Sequence, residues 1–209
     1  MEYVILIGAL IIFVGLIVLL FRWVIGMNKR KVILHTAFAE KHGFSIETSK
    51  YLTAKLNTMV GQKDGINITI DERMVGSGKN QHVVTTLTLT PTSFDFDFKI
   101  GKEHIFSKMG KGLGFKDVEI GDEKFDKRFL LKSKDPDKLK MLVDYNIQAD
   151  LKAIDADLKA SIYGNGNIMT YALSQPMMKQ KQLDSFEKVM ELMLKLVTKK
   201  NGRRETTNY

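Results

Sequence analysis

The sequence predicts an α+β protein in which one N-terminal transmembrane helix precedes a cytoplasmic domain, with an antiparallel sheet covered by helices. Three observations lead to this prediction. Nineteen residues without a charge, Tyr3 to Phe21, open the chain. In the remainder, segments of alternating hydrophobicity outnumber helical ones, and hairpin turns join most of them. Helices do not alternate with strands throughout, as a parallel α/β fold requires.

The uncharged run has the length of a membrane span. At about 1.5 Å per residue it matches the roughly 30 Å hydrocarbon core of a bilayer. A cleaved signal peptide would need a basic start, a shorter apolar run and a small-residue cleavage site. The chain instead begins Met1-Glu2-Tyr3 and carries no Ala-x-Ala-like site after the run. We therefore expect a retained anchor at residues 1–26.

Basic residues flank this run on one side only. Arg22, Lys29, Arg30 and Lys31 follow it, and none precedes it. Because cationic flanks stay in the cytoplasm, we expect a single-pass protein of the inner (cytoplasmic) membrane, with its N-terminus outside and its C-terminal domain in the cytoplasm. The four cations are candidate contacts to the lipid bilayer or to a partner protein.

Two glycines of the run suggest a helix-packing face. Gly8 and Gly15 are seven residues apart, about two helical turns, so they share one side of the helix. Small residues on one face let a second helix approach closely, which predicts a homo-oligomer through the transmembrane helix. Glycine is common in membrane spans in general, so a face with no partner helix is the alternative.

The rest of the chain has the composition of a globular domain, which we place at residues 27–200, before a disordered tail at 201–209. The whole sequence is 44% hydrophobic and 27% charged. It has no cysteine, which excludes disulfides, thiolate metal sites and cysteine nucleophiles. The net charge of +8 fits an anionic membrane surface. Nucleic acid is not expected as a partner, because the lysines scatter instead of forming a basic and aromatic stripe.

Alternation and turn residues place the elements of the first half of the domain. A helix is expected from Val32 to His42, after a break near Gly26 to Asn28 and before a stop at Gly43. Asp64-Gly65 supplies the positive φ of a hairpin turn. The expected strands are Phe44–Thr48, Lys55–Gln62, Ile66–Met74, His82–Thr90 and Phe94–Lys99, the last two forming a meander. Ile66, Ile68 and Ile70 share the core face.

The second half of the domain combines helical and strand signals. Asp135 followed by Pro136 marks a helix start, and this helix is expected to run to about Ala156. The last helix, about Gln180 to Lys199, is amphipathic, and its inward stripe comprises Phe186, Val189, Met190, Met193, Leu194 and Val197. The other expected elements are a short helix near 103–109, strands at 117–120, 125–132, 158–163 and 167–173, and a hairpin turn at 164–166.

Segment 117–197 carries a characteristic order of features. Gly121 to Phe129 reads Gly-Asp-Glu-Lys-Phe-Asp-Lys-Arg-Phe, and Lys134-Asp135-Pro136 follows, then a hairpin and an apolar C-terminal helix. This order, with its Phe-Asp-x-x-Phe-like motif, resembles a widespread group of bacterial membrane-anchored proteins that share a domain of unknown function. The resemblance covers well under half of the chain. It implies the fold and the anchoring, and it implies no activity.

Two phenylalanines of this motif conflict with a simple strand. Phe125 and Phe129 are four residues apart, so in a regular strand they share a face with Lys127. A bulge or an initial turn before the strand would remove the conflict. We expect the two rings to form an aromatic clasp between strand and helix, with a binding role as the alternative.

No group of residues has the spacing of a catalytic or metal site. His35 and His42 are seven residues apart, and no histidine pair has the i, i+4 spacing of helical metal ligands. Asp95 and Asp97 alternate with phenylalanines, which is typical of the solvent face of a strand and not of a catalytic pair. We therefore expect no enzymatic activity, no metal and no cofactor.

A glycine-rich basic loop lies at residues 108–116. Its amides and the ammonium groups of Lys108, Lys111 and Lys116 are suited to phosphate, but the loop lacks the residue order and the strand-loop-helix context of a nucleotide site. The three lysines are candidate membrane or partner contacts, and a flexible linker is the alternative.

These expectations favour a non-enzymatic, membrane-anchored scaffold or protein-interaction module at the cytoplasmic face of a bacterial membrane. Its partners would be the lipid bilayer and another membrane or cytoplasmic protein. A module that binds a lipid or a small molecule between sheet and helices is the alternative.

Overall fold

The computed structural model describes residues 1–52, 54–102 and 114–206. Its helices are α1 (Glu2–His42), α2 (Glu123–Asp126), α3 (Pro136–Leu142), α4 (Tyr145–Ala153) and α5 (Gln180–Thr206), with a 3₁₀ turn at Gly78–Asn80. Its strands are β1 (Ser45–Tyr51), β2 (Ala54–Lys63), β3 (Ile66–Val75), β4 (His82–Thr90), β5 (Phe98–Lys102), β6 (Lys116–Val118), β7 (Phe129–Ser133), β8 (Ile162–Asn165) and β9 (Ile168–Leu173).

The nine strands of the described residues form one antiparallel sheet. Their order is β1-β2-β3-β4-β9-β8-β5-β7-β6. Strands β1 to β4 pair in chain order, and the β8–β9 hairpin then inserts between β4 and β5. A long apolar helix followed by an antiparallel sheet with helices confirms the predicted α+β class.

Helix α1 is one uninterrupted helix of 41 residues. Among the described residues it is the helix long and apolar enough to cross a membrane, and its most apolar window is fully exposed. The break predicted near Gly26 to Asn28 is wrong, because the helix runs without interruption from Glu2 to His42. Within it, the side-chain amide of Asn28 donates from Nδ2 to the Val24 carbonyl one turn back (3.1 Å). One glycine costs a helix only about 1 kcal/mol. Gly43, with φ of 67°, ends the helix as predicted.

The first long hairpin follows its predicted pattern. Asp64 and Gly65 adopt φ of 51° and 76°, both positive, and Lys63 pairs with Ile66 across the turn. The side chains of Ile66, Ile68 and Ile70 are buried in the core, as expected from their alternation. A two-residue turn and a buried face together set the register of β2 and β3.

Strands β4 and β5 are not neighbours, so the predicted meander is wrong. Strand β9 pairs with β4, while β5 pairs with β7 and β8. Phe94, Phe96 and Phe98 are all buried, as expected, but only Phe98 lies in a strand. Residues 91–97 cross between two parts of the sheet, and the Phe94 N–H donates to the Gly166 carbonyl (2.8 Å). The three rings are therefore buried in the core although residues 94–97 do not belong to a strand.

The helix predicted from Asp135 to about Ala156 is two helices. Asp135 caps α3 as expected and accepts from the Lys138 N–H (3.2 Å). Asp144 then starts α4, and its carboxylate accepts from the Ile147 N–H (3.2 Å). An aspartate cap stabilises a new helix start by about 1 kcal/mol. The buried stripe continues across the junction in both helices, which is why the sequence pattern resembles one helix.

The Phe-Asp-x-x-Phe-like motif forms a turn before a strand. Phe125 lies in α2 and Phe129 begins β7, so an initial turn, one of the two expected solutions, separates them. The two buried rings stack with centroids 4.9 Å apart. Asp126 accepts from the N–H groups of Ile120 and Gly121 (3.0 and 2.9 Å), which ties the preceding chain to the turn. The rings form the expected clasp between helix and strand.

The last hairpin is present but lies further along the chain than predicted. Strand β8 begins at Ile162 and extends to Asn165, which pairs with Ile168, so the turn is formed by Gly166 and Asn167. The helix predicted near 103–109 falls outside the described residues.

Helix α5 carries the predicted apolar stripe and is longer than predicted. All six stripe residues, Phe186, Val189, Met190, Met193, Leu194 and Val197, are buried. The helix continues to Thr206, so residues 201–206 are helical where a disordered tail was expected. Residues 207–209 lie outside the described part of the chain.

Candidate membrane-proximal site

A buried ion pair joins α1 to the sheet just beyond the apolar half of the helix. Lys31 is 2% exposed, and Glu72 on β3 is 3% exposed. The Lys31 ammonium donates to Glu72 Oε2 (2.8 Å) and to the carbonyl of Lys55 on β2. The N–H of Asn57 donates to the same Glu72 oxygen (3.1 Å). Two strands therefore hold one helical side chain, which restrains α1 both along and around its axis.

A chain of hydrogen bonds extends the ion pair one turn further along α1. The Thr48 hydroxyl donates to Asn57 Oδ1 (2.8 Å), Asn57 Nδ2 donates to His35 Nδ1 (2.8 Å), and His35 Nε2 donates to the Met177 carbonyl (2.7 Å). A carbonyl can only accept, so neutral His35 carries its proton on Nε2. We call Lys31, His35, Asn57 and Glu72 the polar cluster.

Burial lowers the pKa of His35 below its ordinary value, and the negative charge of Glu72 opposes this effect. A buried imidazolium loses its hydration, which favours the neutral ring. The hydrogen bonds agree with the neutral form, because a proton on Nδ1 would face the amide donor of Asn57. The polar cluster therefore combines one ion pair with one neutral histidine.

The four cations predicted to flank the membrane do not share one environment. Arg22, Lys29 and Arg30 are exposed, whereas Lys31 is buried in the polar cluster. The membrane or partner contact predicted for Lys31 is therefore wrong. The physical reason is helical periodicity: Lys31 lies one turn before His35, on the face of α1 that packs on the sheet.

The loop lysines are only partly described. Lys108 and Lys111 lie outside the described residues, and Lys116 begins β6, where it is exposed. Strand β6 is the edge of the sheet opposite β1, while α1 contacts β1 and β2. At about 4.8 Å between strands, several strand widths separate Lys116 from the base of the membrane helix. A contact role for the loop remains a prediction.

Gly8 and Gly15 leave space on the apolar half of α1. A Cβ atom added to either glycine would meet no other atom within 4 Å. The face they share is therefore open in the single chain. Association through this face remains a prediction.

A groove of about 300 Å³ lies on the membrane side of the polar cluster, between α1 and the β1–β2 hairpin. It is lined by apolar and basic side chains: Phe21, Val24, Ile25, Asn28, Lys29, Lys50, Leu52 and Lys55. The Lys55 N–H donates to Asn28 Oδ1 (3.3 Å), which fastens the hairpin to the helix beside the groove. Together with the Lys31 bond to the Lys55 carbonyl, this contact holds the two walls in place.

A second basic depression, of about 420 Å³, is lined by Lys124, Lys127, Arg128 and Lys152. Acids stand beside it: Lys127 pairs with Glu123 (2.6 Å) and Lys152 with Asp122 (2.7 Å). These carboxylates offset half of its charges. The membrane-proximal groove is therefore the stronger candidate for binding an anion.

The residues considered for catalysis and metal binding have structural partners. Asp95 pairs with Lys138 (2.8 Å) and Lys200 (2.6 Å), and hydrogen bonds from these two lysines hold the pKa of Asp95 well below its usual range. Asp97 pairs with Lys134 (2.5 Å). Across the residues that the structure describes, no three or more metal-ligating side chains group together.

Sequence reasoning missed Glu72 and Asn57. Glu72 continues the alternation of Ile66, Ile68 and Ile70, so the pattern already placed this acid on the core face of β3. An acid in that position indicates a buried partner. No comparable signal marks Asn57, because its role depends on α1 and β3 meeting at β2.

The fold is similar to that of a protein of known structure. The chain superimposes on the crystal structure of the mycobacterial trehalose monomycolate transport factor A, TtfA, with a TM-score of 0.57 and 15% sequence identity. The match covers 82% of this chain and 94% of the other. At this identity the likeness shows the fold alone. No protein-family model matches the sequence, and a search among curated proteins found no match.

Proposed function

We propose that the protein is a non-enzymatic membrane scaffold, whose α+β domain is held in a fixed orientation at the cytoplasmic face of a bacterial inner membrane to engage a partner protein. The observation that carries the proposal is the rigid connection between anchor and domain. Helix α1 continues from its apolar half into the domain without a hinge, and the polar cluster fixes it to two strands.

Such a connection serves orientation more than stability. A buried ion pair loses the hydration of both charges, and it often contributes little net stability compared with apolar side chains of the same size. It does restrict the helix to one register against the sheet. A tethered domain that only had to stay near the membrane would need no such restriction, so the polar cluster supports a role in which the direction of the domain matters.

The fold likeness suggests the process. TtfA is described as a trehalose monomycolate transport factor, and trehalose monomycolate is a glycolipid. A domain of this fold on a membrane helix would suit a protein that supports a lipid-transport assembly. We propose this setting for the scaffold, with a membrane protein as its partner.

Interrupting the rigid connection tests the proposal. Seven alanines inserted after Met27 add two helical turns, so α1 continues and the domain keeps its rotation about the helix axis to within about 20°. Seven glycines inserted at the same place make a flexible joint. Both insertions add the same number of residues between the span and the domain. We expect crosslinking and purification of the tagged full-length protein to recover a partner with wild type and the alanine variant, and much less with the glycine variant.

Two results would count against a scaffold of fixed orientation. Equal recovery with both insertions would mean that rigidity is not needed. If crosslinking of the wild-type protein recovers no reproducible protein partner, the scaffold proposal is wrong.

The proposed orientation has its own test. A reporter enzyme that is active only outside the cytoplasm, fused after Tyr209, should remain silent, because the cationic flank of the span follows it. A fusion before Met1 should be active and serves as the control. Activity of the C-terminal fusion would reverse the assigned topology.

Lipid binding is the second candidate function, and the groove beside α1 favours it. The groove joins apolar and basic side chains next to the span, where a lipid would meet both. This candidate places the ligand at the membrane surface and not between the sheet and its covering helices.

A further inference from the structure

The groove between α1 and the β1–β2 hairpin lies at the height where a bilayer changes from hydrocarbon to headgroups. The apolar run ends at Phe21, about 27 Å along the helix from Tyr3, which is close to the thickness of a hydrocarbon core. Phe21 and Ile25 line the groove, and Lys29, which also lines it, lies one turn beyond Ile25 on α1. One wall of the groove therefore spans the apolar and polar layers of one leaflet.

The opposite wall presents an apolar side chain at an unfavourable backbone position. Leu52, in the turn after β1, is 78% exposed and adopts φ of 54°. Residues with a side chain seldom occupy this left-handed region, and glycine or asparagine is preferred there. An exposed leucine at this position gains nothing from the protein core. An exposed apolar side chain beside a membrane span is suited to contact with acyl chains.

The charges of the groove are of one sign. Lys29, Lys50 and Lys55 line it, and no acid does so among the described residues. Within residues 1–52, 54–102 and 114–206, the ammonium groups of these three lysines form no ion pair. Glu72, the nearest buried acid, is already bound by Lys31. The groove thus offers uncompensated positive charge beside apolar side chains.

We infer that this groove binds one anionic glycerophospholipid of the surrounding leaflet. The phosphate lies among Lys29, Lys50 and Lys55, and an acyl chain runs along Phe21 and Ile25 with Leu52 on its other side. A soluble phosphate compound would leave the apolar walls unused, and a neutral lipid would leave the lysines without a counter-ion. The inference does not depend on the scaffold proposal, since it concerns a lipid and not a protein partner.

A charge-matched pair of variants tests the inference. Lys29→Gln with Lys50→Gln removes two cations from the groove, and Arg22→Gln with Arg30→Gln removes two exposed cations of α1 that do not line it. Native mass spectrometry of the full-length protein, released from nanodiscs of phosphatidylcholine and phosphatidylglycerol in equal amounts, counts the lipids retained. We expect one phosphatidylglycerol to be retained by wild type and by the arginine variant. Retention should fall about fivefold for each groove lysine lost.

The variant Leu52→Asn tests lipid binding without a loss of folding stability. Asparagine tolerates the positive φ, so the variant should fold at least as well as wild type. It should nevertheless retain less phosphatidylglycerol, because one apolar wall is gone. Wild-type retention by Leu52→Asn would place the lipid elsewhere.

Two further outcomes would overturn the inference. Equal losses in the lysine and arginine variants would indicate a diffuse basic surface without a defined site. Equal retention of phosphatidylcholine and phosphatidylglycerol by wild type would show that the lysines do not select the headgroup. Loss of a protein partner in the insertion experiment leaves these results unchanged, so the two proposals fail separately.

Discussion

Helices α1 and α5 both pack on the sheet, and they are held in different ways. The domain half of α1 carries the polar cluster in addition to buried Phe38 and Ala39, whereas the buried face of α5 is an apolar stripe that includes Phe186 and Met193. Apolar burial is strong but has little directional preference. Ion pairs and hydrogen bonds form only within narrow ranges of distance and angle. We conclude that α5 mainly stabilises the domain, while the polar cluster sets the orientation of α1 against the sheet.

Breaking the ion pair should have the largest effect. Lys31→Met replaces the side chain by an apolar one that is only one atom shorter, and it leaves Glu72 buried without its counter-ion. We expect the free energy of unfolding to fall by about 3–5 kcal/mol. Urea unfolding of the full-length protein in mild detergent, followed by susceptibility to proteolysis, measures this change.

Removing both charges is the control for that experiment. The double variant Lys31→Met and Glu72→Leu leaves no buried charge unpaired, so it should recover most of the lost stability. A single variant Lys31→Met that unfolds at the wild-type urea concentration would contradict the structural role of the pair.

Truncating the apolar stripe of α5 should have the next largest effect. Leu194 is buried, and Leu194→Ala leaves a cavity that typically costs about 2–5 kcal/mol. Thermal unfolding of the same detergent-solubilised protein should show a clearly lower melting temperature. Glu191→Ala, at an exposed position on the same helix, should leave the melting temperature nearly unchanged. If both variants melt like wild type, the stripe is exposed and marks a partner site.

Acid should weaken the polar cluster by a smaller amount. The pKa of His35 is lower in the folded protein than its ordinary value of 6.5, because the ring is buried. Its stabilising contribution is therefore complete above about pH 6.5 and is lost as the pH falls toward the folded pKa, by at most about 1.4 kcal/mol per pH unit. The free energy of unfolding measured from about pH 7.5 to 5.5 should fall more in wild type than in His35→Gln. Parallel pH profiles would show that His35 does not titrate in this range.

An exposed ion pair should have the smallest effect. Lys127 and Glu123 are as close as Lys31 and Glu72, but their side chains are 73% and 82% exposed. Lys127→Ala should change the free energy of unfolding by only about 0.3 kcal/mol, because water screens the attraction. An effect as large as that of Lys31→Met would mean that burial does not explain the difference between the two pairs.

The sequence predicted local structure better than it predicted which strands pair with each other. The Asp64-Gly65 turn, the inward isoleucines of β3 and the stripe of α5 all follow from periodicity or turn chemistry, which act over a few residues. The pairing of β4 with β9 does not follow from such local patterns. Strand β9 lies some eighty residues further along the chain, and no local pattern selects it over β5. The division of the predicted helix into α3 and α4 was missed for a related reason. The cap at Asp144 starts a new helix, while the stripe of buried apolar residues continues through both.

The candidate site was harder to predict than the fold. Lys31 has the sequence context of its neighbours Lys29 and Arg30, and only contact with Glu72, 41 residues away, separates its role from theirs. The groove depends on the β1–β2 hairpin returning to the end of the span, which requires the whole packing of α1 on the sheet. Residues of the same charge in the same segment thus serve different roles according to which face of one helix they occupy.

The unbroken course of α1 has a mechanical consequence. The helix is a rod about 60 Å long, so a tilt of 10° displaces one end relative to the other by about 10 Å. A span longer than the local hydrocarbon thickness tilts to keep its apolar residues covered. Because the rod is clamped to β2 and β3, the sheet must turn with it. If α1 spans a bilayer, the angle of the domain to the membrane follows the bilayer thickness, so lipids that thicken or thin the membrane change which surface the domain presents.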